Sequence, residues 1–457
     1  MLSSVASTVV VENALVRYDE QVRAALADLS GSARTAGEFE AGFALPLPGE
    51  KLSRLFSASD LAFADLGHYR DKRLTLLDLT RNPRTRTTKT YASLVIVARA
   101  VHHVRSTGER VMIVSPSSGN KATALRDAVL RAYEADLVTP DQLSILVVVP
   151  GSSQHKLWAS PLSEDPLLRA RNPVVTHEGK ERADVKMLAR ELINGHAREL
   201  ADRHGVRLWY TLDIENYKVA DVVRAFAEHE FRPATGRLHV HAVSSAYGLL
   251  GHDLGARRLA AAGAGEPSAH YFLVQHLDTP DMVLSLYFDS HSRQHLPAYR
   301  VDEATGLLRQ DTDPRFPATT FDPAENLDPT FYTRRPATSA EINPLIRSRG
   351  GGGIVVSLHE CLQRYPQLRA MLDPCGIPLP SDPRDLREWS LVMALTGILN
   401  AIDRDLVPED DILVHGSGSY QVADFEPIPA PHLNPVSDLE GLTAVTVRAA
   451  GAGHGRG

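Results

Sequence analysis

Lys89 stands in Arg86-Thr87-Thr88-Lys89-Thr90-Tyr91, just before an apolar helical run. An amine in that position can form an imine with a carbonyl compound and can carry a proton. A second segment, Ser117-Ser118-Gly119-Asn120-Lys121, lies between a strand-like run and a helix-like run. Backbone N–H groups that open a helix suit an anion such as a carboxylate. The Asn120 amide can donate to an oxygen. Lys121 either reads a second acidic group or points to solvent. A third segment, Val243-Ser244-Ser245-Ala246-Tyr247-Gly248, has strand–turn–helix form. Its two hydroxyls and its backbone donors could hold a dianion. A fourth, His415-Gly416-Ser417-Gly418-Ser419, closes an apolar strand with an imidazole and a hydroxyl. Lysine is scarce, eight of 49 basic residues, so solubility alone is a weaker explanation of Lys89.

These segments need elements to position them. Apolar residues recur at three- and four-residue steps over 8–29, which predicts a helix ended by Gly31 and Ser32. Strands are expected at 75–78, 111–114, 143–149, 206–210, 238–243, 271–274 and 412–414. Helices are expected at 91–106, 122–133, 182–204, 219–230, 251–262, 358–364, 368–372 and 387–403. This alternation predicts an α/β fold with mostly parallel sheets covered by helices. Ligands in such sheets bind at the carboxyl ends of strands, where all four segments fall. Residues 289–353 break the rhythm and read as a functional loop or insertion, ending in a tetraglycine hinge, Gly350 to Gly353. The Gly/Ala-rich tail 449–457 reads as disordered.

The chain has 457 residues with 43% hydrophobic and 23% charged content, ordinary for a globular protein. A net charge of −7 argues against a dedicated nucleic-acid binder. No apolar run has the length of a membrane span, and the start lacks signal-peptide character. Cys361 and Cys375 are too few for a disulfide framework, which points to a cytoplasmic protein with free thiols.

The order of Lys89, Ser117–Asn120, the 244–248 turn and the 415–419 turn resembles the pyridoxal-phosphate enzymes of the tryptophan synthase β, threonine synthase and cysteine synthase group (fold type II). The resemblance covers roughly residues 74–425. It implies two domains: a large cofactor-binding domain, 61–92 with 206–448, and a small mobile α/β domain, 93–205. Residues 1–60 would then be a helical extension. It implies a Schiff base on Lys89 and an Asn120 contact to the ring oxygen. Ser244, Ser245, Ala246, Tyr247 and Gly248 would cradle the phosphate, and His415 or Ser417 would face the ring nitrogen. Thr88, Ser117, Ser118, Gly119, Asn120 and Lys121 would bind the substrate. The implied activity is β- or γ-elimination or replacement on an amino acid, in a homodimer. Four features depart from the pattern, one being His415 at the position where the last turn usually has Thr or Ser. Lys121 replaces a small residue, the phosphate turn has few glycines, and Arg84 and Arg86 stand where small residues are usual.

Two other readings stay open. The altered phosphate turn would suit a non-catalytic descendant that acts as a binding or scaffold protein. A nucleotide-binding enzyme would need a glycine fingerprint, which is absent. His239 and His241 share a strand face, but no third ligand lies at a telling spacing. They read as core or surface histidines, and no metal is expected; Asp289, His291 and His295 lie in generic polar sequence.

Overall fold

The structure is a computed structural model and describes residues 8–29, 38–179, 184–211, 215–265, 267–331 and 333–452. Among them fifteen strands follow in chain order. They are β1 (Thr8–Val11), β2 (Leu61–Tyr69), β3 (Lys72–Asp78), β4 (Arg110–Pro116), β5 (Leu143–Pro150), β6 (Val174–His177), β7 (Val206–Tyr210) and β8 (Leu238–Ala242). The rest are β9 (His270–His276), β10 (Arg300–Val301), β11 (Leu308–Arg309), β12 (Thr319–Thr320), β13 (Gly351–Val356), β14 (Asp411–Gly416) and β15 (Asn434–Val436).

The chain forms two compact units. The first comprises Met1–Val11, Asp60–Arg81 and Asp221–Asp424. Its sheet has the order β1-β2-β3-β14-β8-β9-β13. β2 runs antiparallel to both β1 and β3, and the pairs from β3 to β13 are parallel. The parallel strands are rich in Leu, Val, Ile and Phe because helices cover both faces, with His239, His241 and His415 as buried exceptions on β8 and β14. The helix Ser390–Asp403 is apolar nearly all round and lies in the core with Val240, Val274, Ile354 and Ile412. The second unit comprises Glu12–Ser59, Asn82–Ala220 and Phe425–Gly457. Its parallel sheet has the order β15-β6-β5-β4-β7.

Several expectations give way to the structure. Residues 8–29 are not one helix. Thr8–Val11 pair with β2, Asn13 turns the chain at φ 47°, and helices follow at Ala14–Arg17 and Asp19–Leu29. Val9 and Val10 are β-branched and favour the strand. Gly31 and Ser32 lie outside the described residues. Residues 12–59 belong to the second unit instead of forming an extension. That unit also takes 206–220, because β7 pairs with β4, and 425–457, because β15 pairs with β6. The expected tail begins inside the helix Leu439–Gly451, whose Ala449 and Ala450 are buried with Leu192 and Val185; residues 453–457 lie outside the described residues.

The tetraglycine is not a hinge either. Gly351, Gly352 and Gly353 form β13 against β9. Gly351 has φ +107°, and a Cβ there would lie 2.0 Å from the Tyr271 carbonyl oxygen, so only glycine fits. The rest of 289–353 carries the small sheet β10-β11-β12 and the helix Ser339–Arg349. Helices predicted at 358–364 and 368–372 are one helix, Leu358–Leu372, that accommodates Pro366. Among the described residues no helix is long and apolar enough to cross a membrane.

Candidate functional site

In the second unit Lys89 is the first residue of the helix Lys89–Thr107 and is half-buried. The turn before it is pinned from inside. Asn82 Nδ2 donates to Asp127 Oδ2 (2.8 Å) and to Thr90 Oγ1 (3.3 Å), and the hydroxyls of Thr85 and Thr90 are 2.7 Å apart. Arg84 takes up no site role here, since its guanidinium donates to Glu134 Oε2 at 2.9 Å. Arg86 has a left-handed backbone, φ 44°. The Lys89 Nζ lies 5.2 Å from the centroid of the Tyr217 ring.

The Ser117–Asn120 loop leaves the carboxyl end of β4 and opens the helix Asn120–Glu134. Ser117 Oγ accepts from the Gly119 N–H (3.1 Å) and the Ala122 N–H (2.9 Å), which closes the loop. Gly119 has φ +132°, a conformation that suits glycine. Lys121 resolves neither as a substrate cation nor as a solvated one. It is buried, donates from Nζ to the Thr211 carbonyl, and lies 5.9 Å from the same Tyr217 ring. The two lysines therefore share one aromatic ring, and the loop and the lysine helix start meet there.

In the first unit Ala246 adopts φ 49° and the helix Tyr247–Ala261 starts after it. The expected insertion is fastened to this turn. The Ser244 hydroxyl bonds Thr333 Oγ1 (3.0 Å), and Thr338 Oγ1 donates to the Ser245 carbonyl (2.8 Å). Gly248 faces Arg224: a Cβ there would lie 2.5 Å from Arg224 Nη1. Arg224 is fully buried and donates from Nε to Asp221 Oδ1 (2.9 Å). A guanidinium at the positive end of a helix, balanced by one carboxylate, is a place where an anion is welcome.

His415 departs from its expected role. It is fully buried on β14, and Arg224 Nη1 donates to its Nδ1 at 3.1 Å. Its Nε2 lies 3.1 Å from His239 Nδ1 on β8. Both nitrogens are used inside the protein, because β14 sits between β3 and β8. Burial, with Arg224 second, pushes the His415 imidazole well below its ordinary value. Ser417, also buried, is the hydroxyl that this turn offers instead.

The cluster continues where no third metal ligand was expected. Glu228 and His252 come from the helices Glu215–Phe231 and Tyr247–Ala261 and join His239. Asp221, Arg224 and Glu228 sit at steps of three and four residues on one helix face. Charged residues at buried helical spacing were the signal for this cluster. Tyr217 carried no such signal, since an aromatic at a helix start reads as ordinary packing.

The architecture is that of known enzymes. The chain is similar to the pyridoxal-phosphate-bound threonine synthase from Brucella melitensis, with 13% identity, a TM-score of 0.54, and 94% of this chain and 89% of that one covered. It is also similar to threonine synthase from yeast, with 12% identity, a TM-score of 0.52, and 96% and 91% covered. The expected fold type II architecture is therefore the observed one. No functionally curated protein matches the sequence. One family model matches residues 10–450, and the chain belongs to that family, described as a family of unknown function (DUF6002).

Proposed function

We propose that this chain is a pyridoxal-phosphate enzyme catalysing β- or γ-elimination or replacement on an amino-acid substrate, in the cytoplasm and as a homodimer. The observation that carries the reading is the convergence on Tyr217 of Lys89 and of Lys121, the residue that follows the Ser117–Asn120 segment, within the fold of the threonine synthases. The threonine synthase from Brucella melitensis is bound to pyridoxal phosphate.

The residues present fit that cofactor. The start of the helix Tyr247–Ala261 with Arg224 suits its phosphate dianion: Gly248 has no Cβ and so leaves the guanidinium against the helix start. When bound, the cofactor supplies an electron sink for the bond broken at the substrate α carbon. Lys89 Nζ holds the cofactor and serves as the base for the α-proton. Asn120 would hold the ring oxygen through its amide N–H, and Ser417 would offer its hydroxyl to the ring nitrogen. A neutral hydroxyl there leaves the nitrogen unprotonated, which favours elimination and replacement. Thr88 and the N–H groups of Ser117–Asn120 orient the substrate carboxylate. Tyr217 shields one side of the lysine from water.

The test is leaving-group release. Purified protein with added pyridoxal phosphate is incubated with serine and homoserine and their O-acetyl and O-phospho esters. The account predicts acetate, phosphate or ammonia release from at least one, abolished by Lys89→Ala. Retention of the cofactor with no release from any of them would contradict the assigned chemistry. Release from O-phosphohomoserine alone would make this an ordinary threonine synthase, not a divergent one.

A further inference from the structure

We infer that Glu228, His239 and His252 form a binding site for a divalent transition-metal ion of the zinc class. The three residues offer Oε2, Nε2 and Nε2, and these atoms lie within 4.8 Å of one another. Glu228 Oε2 is 2.8 Å from His252 Nε2 and 3.6 Å from His239 Nε2. An ion with arms of about 2.0–2.1 Å in tetrahedral geometry sets its ligand atoms about 3.3 Å apart. The two observed separations bracket that edge.

The rest of each side chain is arranged as a metal ligand requires. Ligating histidines are oriented by a partner on the other ring nitrogen, and ligating carboxylates are themselves hydrogen-bonded. His252 Nδ1 lies 3.0 Å from the Tyr271 hydroxyl, and His239 Nδ1 lies 3.1 Å from His415 Nε2. Arg237 Nη1 donates to Glu228 Oε1 at 2.8 Å. Each candidate ligand is thus held by one atom and presents another to the common centre.

The charge states agree with this geometry. Burial pushes the His239 imidazole down, against the pull of Glu228. Burial would raise the Glu228 carboxyl, but the His239 and His252 imidazoles and Arg237 reverse this and hold it at about 2. Arg237, whose Nη1 lies 2.8 Å from Glu228 Oε1, is the permanently charged member.

There is also room and access. A cavity of about 140 Å³, open to solvent, is lined by Glu228, His239 and His252 together with His229, Thr235 and Arg237. It admits a hydrated ion and leaves a fourth coordination position for water or a small anion. Binding has a consequence for His415. An ion on His239 Nε2 places that ring's proton on Nδ1, which then donates to His415 Nε2. His415 must carry its own proton on Nδ1 and gives up its bond from Arg224. Ion binding and the Arg224–His415 hydrogen bond are mutually exclusive, and Arg224 keeps its ion pair with Asp221.

The ligands of the ion are not those of the cofactor, and the site is tested without it. Full-length protein is stripped with a chelator and titrated with Co²⁺, then Zn²⁺ in competition. The expected result is one Co²⁺ per chain, with the intense visible absorption of four-coordinate cobalt, displaced by Zn²⁺. The pair Glu228→Gln with His252→Ala is expected to weaken binding by at least about 100-fold. A second variant, His252→Cys, exchanges one ligand for another. It is expected to retain the ion and to add a thiolate-to-cobalt charge-transfer band. Wild-type protein that takes up no stoichiometric Co²⁺ or Zn²⁺ overturns the assignment, as does binding that neither variant alters.

Discussion

The turn that carries Lys89 and the cluster around His239 are both polar and both buried, yet they are held in different ways. The lysine turn is satisfied locally by small neutral groups. Asn82, Thr85 and Thr90 lie within a few residues of it, and Asp127 joins from the next helix. The cluster gathers Asp221, Arg224, Glu228, Arg237 and four histidines from separate helices and strands. A neutral hydrogen bond contributes about 1 kcal/mol net, whereas a buried charge left alone costs several. The first region therefore tolerates change, and the second is all-or-nothing.

Substitutions can break or sharpen that contrast. The largest effect is expected from Arg224→Met, which leaves Asp221 buried without its ion pair. Urea unfolding should show a loss of about 3–5 kcal/mol, largely recovered in the double variant with Asp221→Asn. Failure of the second change to rescue the first would mean that packing, not charge, dominates there. Gly351→Ala follows, at about 3 kcal/mol, from a positive φ and a contact with the Tyr271 carbonyl. It displaces β9 behind His252, so cobalt affinity should fall with stability. Asn82→Ala should cost about 2 kcal/mol by removing its bonds to Asp127 and Thr90, while Asp127 keeps its ion pair with Arg131. Its chemical denaturation midpoint should drop while the cobalt spectrum stays as in wild type. The smallest effect is expected from Ser244→Ala, about 1 kcal/mol, because its hydroxyl is spent on Thr333. Pyridoxal-phosphate retention measured by equilibrium dialysis should change less than about threefold, whereas a direct phosphate ligand would lose tenfold or more.

The same contrast explains what was legible in the sequence. The helix start at Lys89 and the strand–turn–helix setting of Ser117–Asn120 were readable because each is contiguous in the chain. The inner strands were readable because a doubly covered strand is an uninterrupted apolar run. β1 was not, since a four-residue strand cannot be told from the start of a helix by periodicity alone. The glycines of β13 read as a hinge because their reason, the approach of the β9 backbone, lies some eighty residues away. His415 was placed on the right strand, but its contacts with Arg224 and His239 were not foreseen, because register across β8 and β14 is invisible to a linear pattern. His252 and Glu228 were not joined to His239 because they lie on two separate helices whose packing a linear pattern does not show.

The most direct test of the central claim is the visible spectrum of purified protein with pyridoxal phosphate, wild type beside Lys89→Ala. The account predicts a yellow wild type whose band is removed by borohydride, with the reduced adduct mapped to the peptide containing Lys89, and a variant without the band. A wild type that stays colourless with excess cofactor, or an adduct on another lysine, would contradict it.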